Sequence, residues 1–185
     1  MRVFRNPFRA GHWAPGSVAA IGKFDGLHLG HRRVIRLAVR RATRLATKCL
    51  VVTFDPHPRE LFEPGAHQAL LAPRERLRLL KRMGVDAVLL LPFDRKLACM
   101  APEAFGRDIL AAALKVMDVF VGQDFCFGKD RSGRVDDLSE YGRRYGFLVH
   151  AVPLALRQGE KVSSSRIRKL LAERRLREAR ALLGR

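Results

Sequence analysis

Two rhythms of apolar residues alternate along the chain. Short runs of small or β-branched residues, at 17–21, 50–54, 87–91, 116–121 and 147–152, have the length and composition of buried strands. Between them the spacing turns helical: Val34, Leu37, Ala38, Ala42 and Leu45 share one face, and Leu77, Leu79, Leu80 and Met83 follow Pro73 and precede Gly84, a start and a stop signal. Further helices are predicted from Pro102 to about Lys115 and over 136–145, where Gly146 ends the pattern. Two short basic helices are expected between Ser163 and Leu183. Strands alternating with helices of this length predict an α/β fold, a parallel sheet with helices on both faces and right-handed crossovers. Ligands bind such sheets beyond the carboxyl ends of the strands.

Three loops at those ends carry the unusual residues. The first, Gly22-Lys23-Phe24-Asp25-Gly26-Leu27-His28-Leu29-Gly30-His31, joins the first predicted strand to the first helix. A helix N-terminus offers free N–H groups and partial positive charge, and Gly30 leaves room for an anion beside the backbone. His28 and His31 would flank that anion as donors, and as cations in their protonated form. Metal ligation by the His-x-x-His pair, or two imidazoles with backbone partners in a polar loop, are the competing readings. The second loop, Asp55-Pro56-His57-Pro58, follows the second strand, and its two prolines predict a rigid stretch without regular structure. The third runs from Gly122 to Gly133 after the fourth strand. It is no P-loop, because five residues separate Gly122 from Gly128 and Asp130 follows Lys129 where a hydroxyl is needed. Asp124 can accept hydrogen bonds from a heterocycle there, with Phe125 or Phe127 against a flat ring; both rings can equally anchor the loop to the core. Ser163, Ser164 and Ser165 precede a helix as a cap or as anion donors, with Arg168 one turn on.

Composition narrows the class. With 185 residues and 48% hydrophobic content, the chain suits one domain, 1–185. Its apolar runs are too short and too often broken by arginine to span a bilayer, and the first ten residues lack the core of a signal peptide, so a cytoplasmic protein with no membrane partner is expected. Three widely spaced cysteines indicate neither a disulfide framework nor a zinc site. The net charge of +18 invites a nucleic-acid reading, but arginine is spread over every helical segment and no nucleic-acid module is recognisable, so no nucleic-acid partner is expected. Arg32, Arg36, Arg40 and Arg44, four apart, read as one solvated helix stripe.

Taken in order, Gly22-x-Phe24-Asp25-Gly26-x-His28-x-Gly30-His31, Thr53-Phe54-Asp55-Pro56-His57-Pro58, Gly122-x-Asp124-Phe125-x-Phe127-Gly128 and Val162-Ser163-Ser164-Ser165-x-x-Arg168 closely resemble the bacterial FAD synthetase family over nearly the whole chain. The resemblance implies the Rossmann-like fold of the HIGH-type nucleotidyltransferases and the reaction of ATP with FMN to give FAD and pyrophosphate. It implies His28, His31 and Arg168 as catalytic residues. Gly22, Phe24, Asp25, Gly30, Ser163, Ser164 and Ser165 would form the ATP site, and Phe54, Asp124, Phe125 and Phe127 the flavin site. Mg2+ would accompany ATP, without a protein metal site. Ser165 stands where the family often has Thr. The common bacterial form carries a C-terminal riboflavin kinase module, so this chain is expected to transfer adenylate without kinase activity. A sister adenylyl- or cytidylyltransferase with another phosphorylated acceptor, or an inactive basic homologue that binds nucleic acid, are the alternatives.

Overall fold

The computed structural model describes the whole chain except residues 64, 66 and 67. Six parallel strands form one sheet: β1 (Arg2–Phe4), β2 (Val18–Ile21), β3 (Cys49–Asp55), β4 (Ala87–Pro92), β5 (Asp118–Gly122) and β6 (Leu148–Val152), in the order β1-β4-β3-β2-β5-β6. The five predicted strands are all present, within two residues at each end. The sixth, β1, is an addition: three largely exposed residues with no apolar run, which pair with β4 at the sheet edge.

Successive side chains point to opposite faces, so each strand feeds two cores. Ala19, Ile21, Leu50, Val52, Leu89 and Val121 pack on one side, and Val18, Ala20, Cys49, Val51, Val88 and Phe120 on the other. Helices α2 (Leu29–Arg44) and α4 (Pro73–Arg82) cover the second face. The first face is covered by α1 (Pro7–Trp13), by α6 (Pro102–Ala104) continuing as a π-helix over Phe105–Ala113, and by α7 (Val135–Tyr145). The expected α-helix from Pro102 is thus mostly π-helical. Gly11 lets α1 touch it, since a Cβ there would lie 2.0 Å from the Ala113 carbonyl oxygen.

The loop reading of 55–58 needs correction. Strand β3 continues through Asp55, and Pro58 opens a short helix, α3 (Pro58–Phe62), capped by His57. A proline at the first helical position gives up only an N–H that lacks a partner there anyway. Another short helix, α5 (Arg95–Ala98), follows β4. After β6 comes a hairpin, β7 (Leu156–Arg157) and β8 (Glu160–Lys161), and then the two basic helices, α8 (Ser164–Ala172) and α9 (Leu176–Leu183). These bury Val162, Ile167, Leu170, Ala179 and Leu182 against Leu29 and Leu70, so the C-terminal pair is seated on the first turn of α2.

From β2 the chain winds outward through β3 and β4, then returns to place β5 on the other side of β2. The strand order reverses there, and the crevice between the loops leaving β2 and β5 is where such sheets hold ligands.

Candidate active site at the switch point

The loop leaving β2 is folded by burial. Phe24 and Leu27 both adopt left-handed backbone (φ 48° and 46°), a conformation costing about 1–3 kcal/mol for a side-chain-bearing residue. Both are driven into the core, 1% and 0% exposed, and that burial offsets the strain. The turn delivers His28 to the N-cap of α2, where its Nδ1 accepts the His31 backbone N–H at 3.3 Å. This bond leaves the proton of the neutral His28 ring on Nε2, free to donate. The His31 ring stacks on His28, centroids 3.6 Å apart and 18° from parallel, and Phe24 meets His31 edge-on at 5.4 Å. Parallel rings this close cannot aim two lone pairs at one ion, so the stacking disfavours the metal reading. Among the described residues nothing bonds to the buried Nδ1 of His31.

Burial sets the charge of the pair. It pushes His28 down to about 4, with the nearby Lys161 ammonium adding to the effect and Asp124 opposing it. His31 is held well below its ordinary value by burial and then by His28. The cationic form read from sequence is therefore not the resting form; near neutral pH the site holds two neutral imidazoles. Gly30 also has a more specific task than admitting an anion. A Cβ there would lie 3.2 Å from Cε1 of His28, so the glycine makes room for the imidazole.

The loop leaving β5 has two sides. Phe127 is buried against Phe105 (5.6 Å), its backbone bridged to Gly133, and Phe125 stacks on it at 5.5 Å. Phe127 is a core anchor, with only the half-buried Phe125 available toward the crevice. Asp124 is exposed and ion-paired with Lys161 of β8, so the loop is tied to the segment that leads into α8. Lys161 escaped the sequence reading, although it stands directly before the Val162-Ser163-Ser164-Ser165 motif. On the other flank, Phe54 packs edge-on against Phe93 (5.7 Å), which in turn meets Phe62 at 6.3 Å. The four expected flavin residues thus fall in two groups, Phe54 at the carboxyl end of β3 and Asp124, Phe125 and Phe127 beyond β5.

At the start of α8 the three serines divide their work. Ser163 caps the helix by accepting the Arg166 N–H, Ser164 donates to the Asp25 carbonyl at 2.9 Å, and Ser165 is exposed. Asp25 is 5% exposed; its carboxylate accepts the Leu70 N–H at 3.0 Å and is ion-paired with Arg168, which also donates to the Gln68 carbonyl. Asp25 therefore clasps α8 to the β2 loop, and Phe24 supports His31 from beneath. Nearby, Lys23 has its ammonium pushed down first by burial and then by Arg131, with Arg59 and Arg168 contributing, a concentration of positive charge suited to a polyanion. A cavity of 260 Å³ lined by Arg166, Arg175, Glu160 and Glu173 lies outside this cluster, and its cations are already paired with its acids.

Residues 12–166 match a family model described as FAD synthetase. The chain belongs to the FAD synthetase family. All the motif residues except Arg168 lie within the matched span. A bifunctional riboflavin kinase/FMN adenylyltransferase of Pseudomonas fluorescens is 39% identical over 170 residues, 92% of this chain and 55% of that protein. A putative bifunctional riboflavin kinase/FMN adenylyltransferase of Geobacillus thermodenitrificans is 37% identical over 171 residues, 92% of this chain and 90% of that protein. The chain thus spans about half the length of the first relative and most of the second. A solved structure described as a macrolide-efflux protein from Streptococcus pneumoniae superimposes with a TM-score of 0.86 at 31% identity, over 99% of this chain and 61% of that one. No helix among the described residues of this FAD synthetase family member is long and apolar enough to cross a membrane.

Proposed function

We propose that this chain transfers the adenylyl group of ATP to FMN, forming FAD and pyrophosphate. A phosphate oxygen of FMN attacks the α-phosphorus of ATP, and the bond from that phosphorus to the oxygen bridging to the β-phosphate breaks. Membership of the FAD synthetase family supports the reaction class. The observation that carries the site assignment is the stacked His28–His31 pair at the N-cap of α2, with an unpartnered buried nitrogen at a helix N-terminus in the switch-point crevice. Polyphosphate bound there would receive N–H donation from the α2 terminus and from His28 Nε2. Its charge would draw protons onto the imidazoles, so that positive charge appears where the transition state is negative.

Arg168 and Ser165, at the start of α8, complete the triphosphate side, while Ser163 and Ser164 hold that turn in place. Asp124 and Phe125 face the flavin from the β5 loop. Catalysis in this scheme is positioning and charge stabilisation, with no covalent enzyme intermediate. Mg2+ is proposed to arrive with ATP. Among the described residues no group of three or more His, Cys, Asp or Glu could hold a metal, and Mg2+ is commonly held by substrate phosphates and water with few protein ligands. A cytoplasmic setting fits substrates of this kind.

Incubation with ATP, Mg2+ and FMN, followed by chromatography, should yield FAD and equimolar pyrophosphate. Absence of FAD alongside product from another phosphorylated acceptor would replace the proposed acceptor, and absence of any pyrophosphate would remove the transferase reading. A parallel incubation with riboflavin is expected to give no FMN from this chain.

A further inference from the structure

The two helical layers differ sharply in charge. On the face built by α2 and α4, helix α2 carries six arginines and no acid, and α4 carries four arginines and Lys81 against the single acid Glu75. The two helices share one core, and Gly84, two residues past the end of α4, lies against Val39 of α2, where an added Cβ would sit 3.3 Å from Val39 Cγ1. On the opposite face, α1, α6 with its π-helical extension, and α7 together carry four arginines against five acids. The excess charge of the chain is therefore not an even surface coat. Much of it sits on one side of the sheet.

Burial sorts the arginines of α2 further. Arg32 turns in to donate to the Gly184 carbonyl at 2.8 Å, and Arg41 pairs with the buried Asp118. The exposed row is Arg33, Arg36, Arg40 and Arg44, which corrects the stripe read from spacing alone. Among the described residues none of these four lies within ion-pairing distance of a carboxylate, and neither do Arg74, Arg78 and Arg82 of α4. On the opposite face Arg107 is paired with Asp108 and Arg144 with Glu103. Unpaired like charges on adjacent helices repel one another, a cost that a bound polyanion would relieve.

We propose that the α2–α4 face docks the phosphate backbone of a nucleic-acid duplex. The row from Arg33 to Arg44 extends about 16 Å along the helix, a length that faces roughly five base steps of 3.4 Å. Apart from His31, whose ring is stacked on His28 in the active-site crevice, the two helices carry no aromatic side chain, so the face offers no platform for unstacked bases and would read the duplex backbone without regard to sequence. It also lacks the exposed Trp, Phe and Leu anchors with which a basic helix beds into a lipid surface; Leu45, just beyond α2, is the one large exposed hydrophobic there. A protein partner would need an apolar centre to the patch, which is absent for the same reason.

Binding of the full chain to a labelled 20-base-pair DNA duplex is measured by anisotropy across a salt series, beside a single strand of equal length and vesicles containing 30% phosphatidylserine. The duplex should bind best, with log affinity falling linearly in log salt. The triple variant Arg36→Gln, Arg40→Gln, Arg44→Gln should bind weaker at 50 mM salt by a factor of about ten or more, with a shallower slope, because each lost phosphate contact removes about 0.9 from it. The triple variant Arg74→Gln, Arg78→Gln, Arg82→Gln provides the same reading independently should the first fold poorly. A control on the other layer, Arg9→Gln, Arg107→Gln, Arg143→Gln, should leave binding unchanged, and FAD formation should survive in all three. No duplex binding at 50 mM salt, equal loss in the control, or tighter binding to the vesicles or the single strand would each overturn the proposal.

Discussion

The rings of His28 and His31 stack 3.6 Å apart beside Gly30, where an added Cβ would press on the His28 ring at 3.2 Å. Replacing it with alanine raises intrinsic helix propensity by up to about 1 kcal/mol while forcing the imidazole to move. Gly30→Ala should therefore leave thermal stability nearly unchanged yet lower kcat more than tenfold, since small displacements of positioned groups are costly. His31→Ala should lower kcat further, by a factor of about 10²–10³, the effect of losing one preorganised transition-state donor. Steady-state FAD formation beside a thermal melt separates the two outcomes. A Gly30→Ala enzyme as active as the parent would free the ring position from any role.

Because burial depresses both histidines, they record pH in the stability of the unliganded protein. An unfolded histidine binds a proton near pH 6.5, whereas folded His28 does so only near 4. Between these values the unfolded chain holds more protons, so stability is complete above about pH 6.5 and falls as pH drops toward 4. His31 shifts in the same direction and adds to the loss. Urea denaturation at pH 7.5 and pH 4.5 should show this drop, and His28→Asn should make it smaller. Saturating ATP should reverse the preference: if polyphosphate draws protons onto the rings, its binding takes up protons near neutral pH, which calorimetry in buffers of different ionisation enthalpy detects.

The clasp between Asp25 and Arg168 gives an asymmetric expectation. Asp25 has its side chain 6% exposed, while that of Arg168 is 26% exposed. Removing one partner of a buried pair costs about 3–5 kcal/mol, and the partial exposure of the guanidinium places Asp25→Asn below that range. Arg168→Gln strands the more deeply buried charge and should destabilise more than Asp25→Asn. The double variant should lose less than the sum of the two, as coupled neighbours do. Urea midpoints of the four proteins test the cycle, and strict additivity would dissolve the clasp.

What the sequence disclosed, and what it hid, divides by the range of the forces involved. The five long strands and the α2, α4, α7, α8 and α9 helices announce themselves because each carries its own apolar periodicity. The strand β1 and the helix α1 do not: Arg2–Phe4 is mostly exposed, and the Pro7–Trp13 segment buries only Ala10 and Gly11. Pro7 behind a capping Asn6 was a legible start signal for α1, and Gln158-Gly159, both with positive φ, marks the two-residue turn of the β7–β8 hairpin. In the site, residue types and order were readable, but not burial. The family resemblance set Phe24 in the ATP site and the loop left Phe127 open between a flavin contact and a core anchor; only the folded chain shows both rings turned inward. The neutral state of the histidines and the pairing of Lys161 with Asp124, residues 37 apart in sequence, arise from tertiary contact alone.

That last pairing yields the most discriminating test of the site, because its two charges act on His28 in opposite senses. The Lys161 ammonium pushes the imidazole further down and the Asp124 carboxylate pulls it up, both beneath the larger effect of burial. Lys161→Met should therefore raise the pKa of His28, and Asp124→Asn should lower it, with neither restoring the value of an exposed histidine. Proton NMR titration of the imidazole resonances in the unliganded protein reads both shifts. The catalytic consequences differ as well. If Asp124 faces the flavin, Asp124→Asn should raise the KM for FMN well above any change in the KM for ATP, whereas Lys161→Met, removing positive charge beside the polyphosphate, should act mainly on ATP. Shifts of the same sign in the two variants would separate the β5 loop from the histidines, and equal effects on both substrates would place Asp124 outside the flavin side of the crevice.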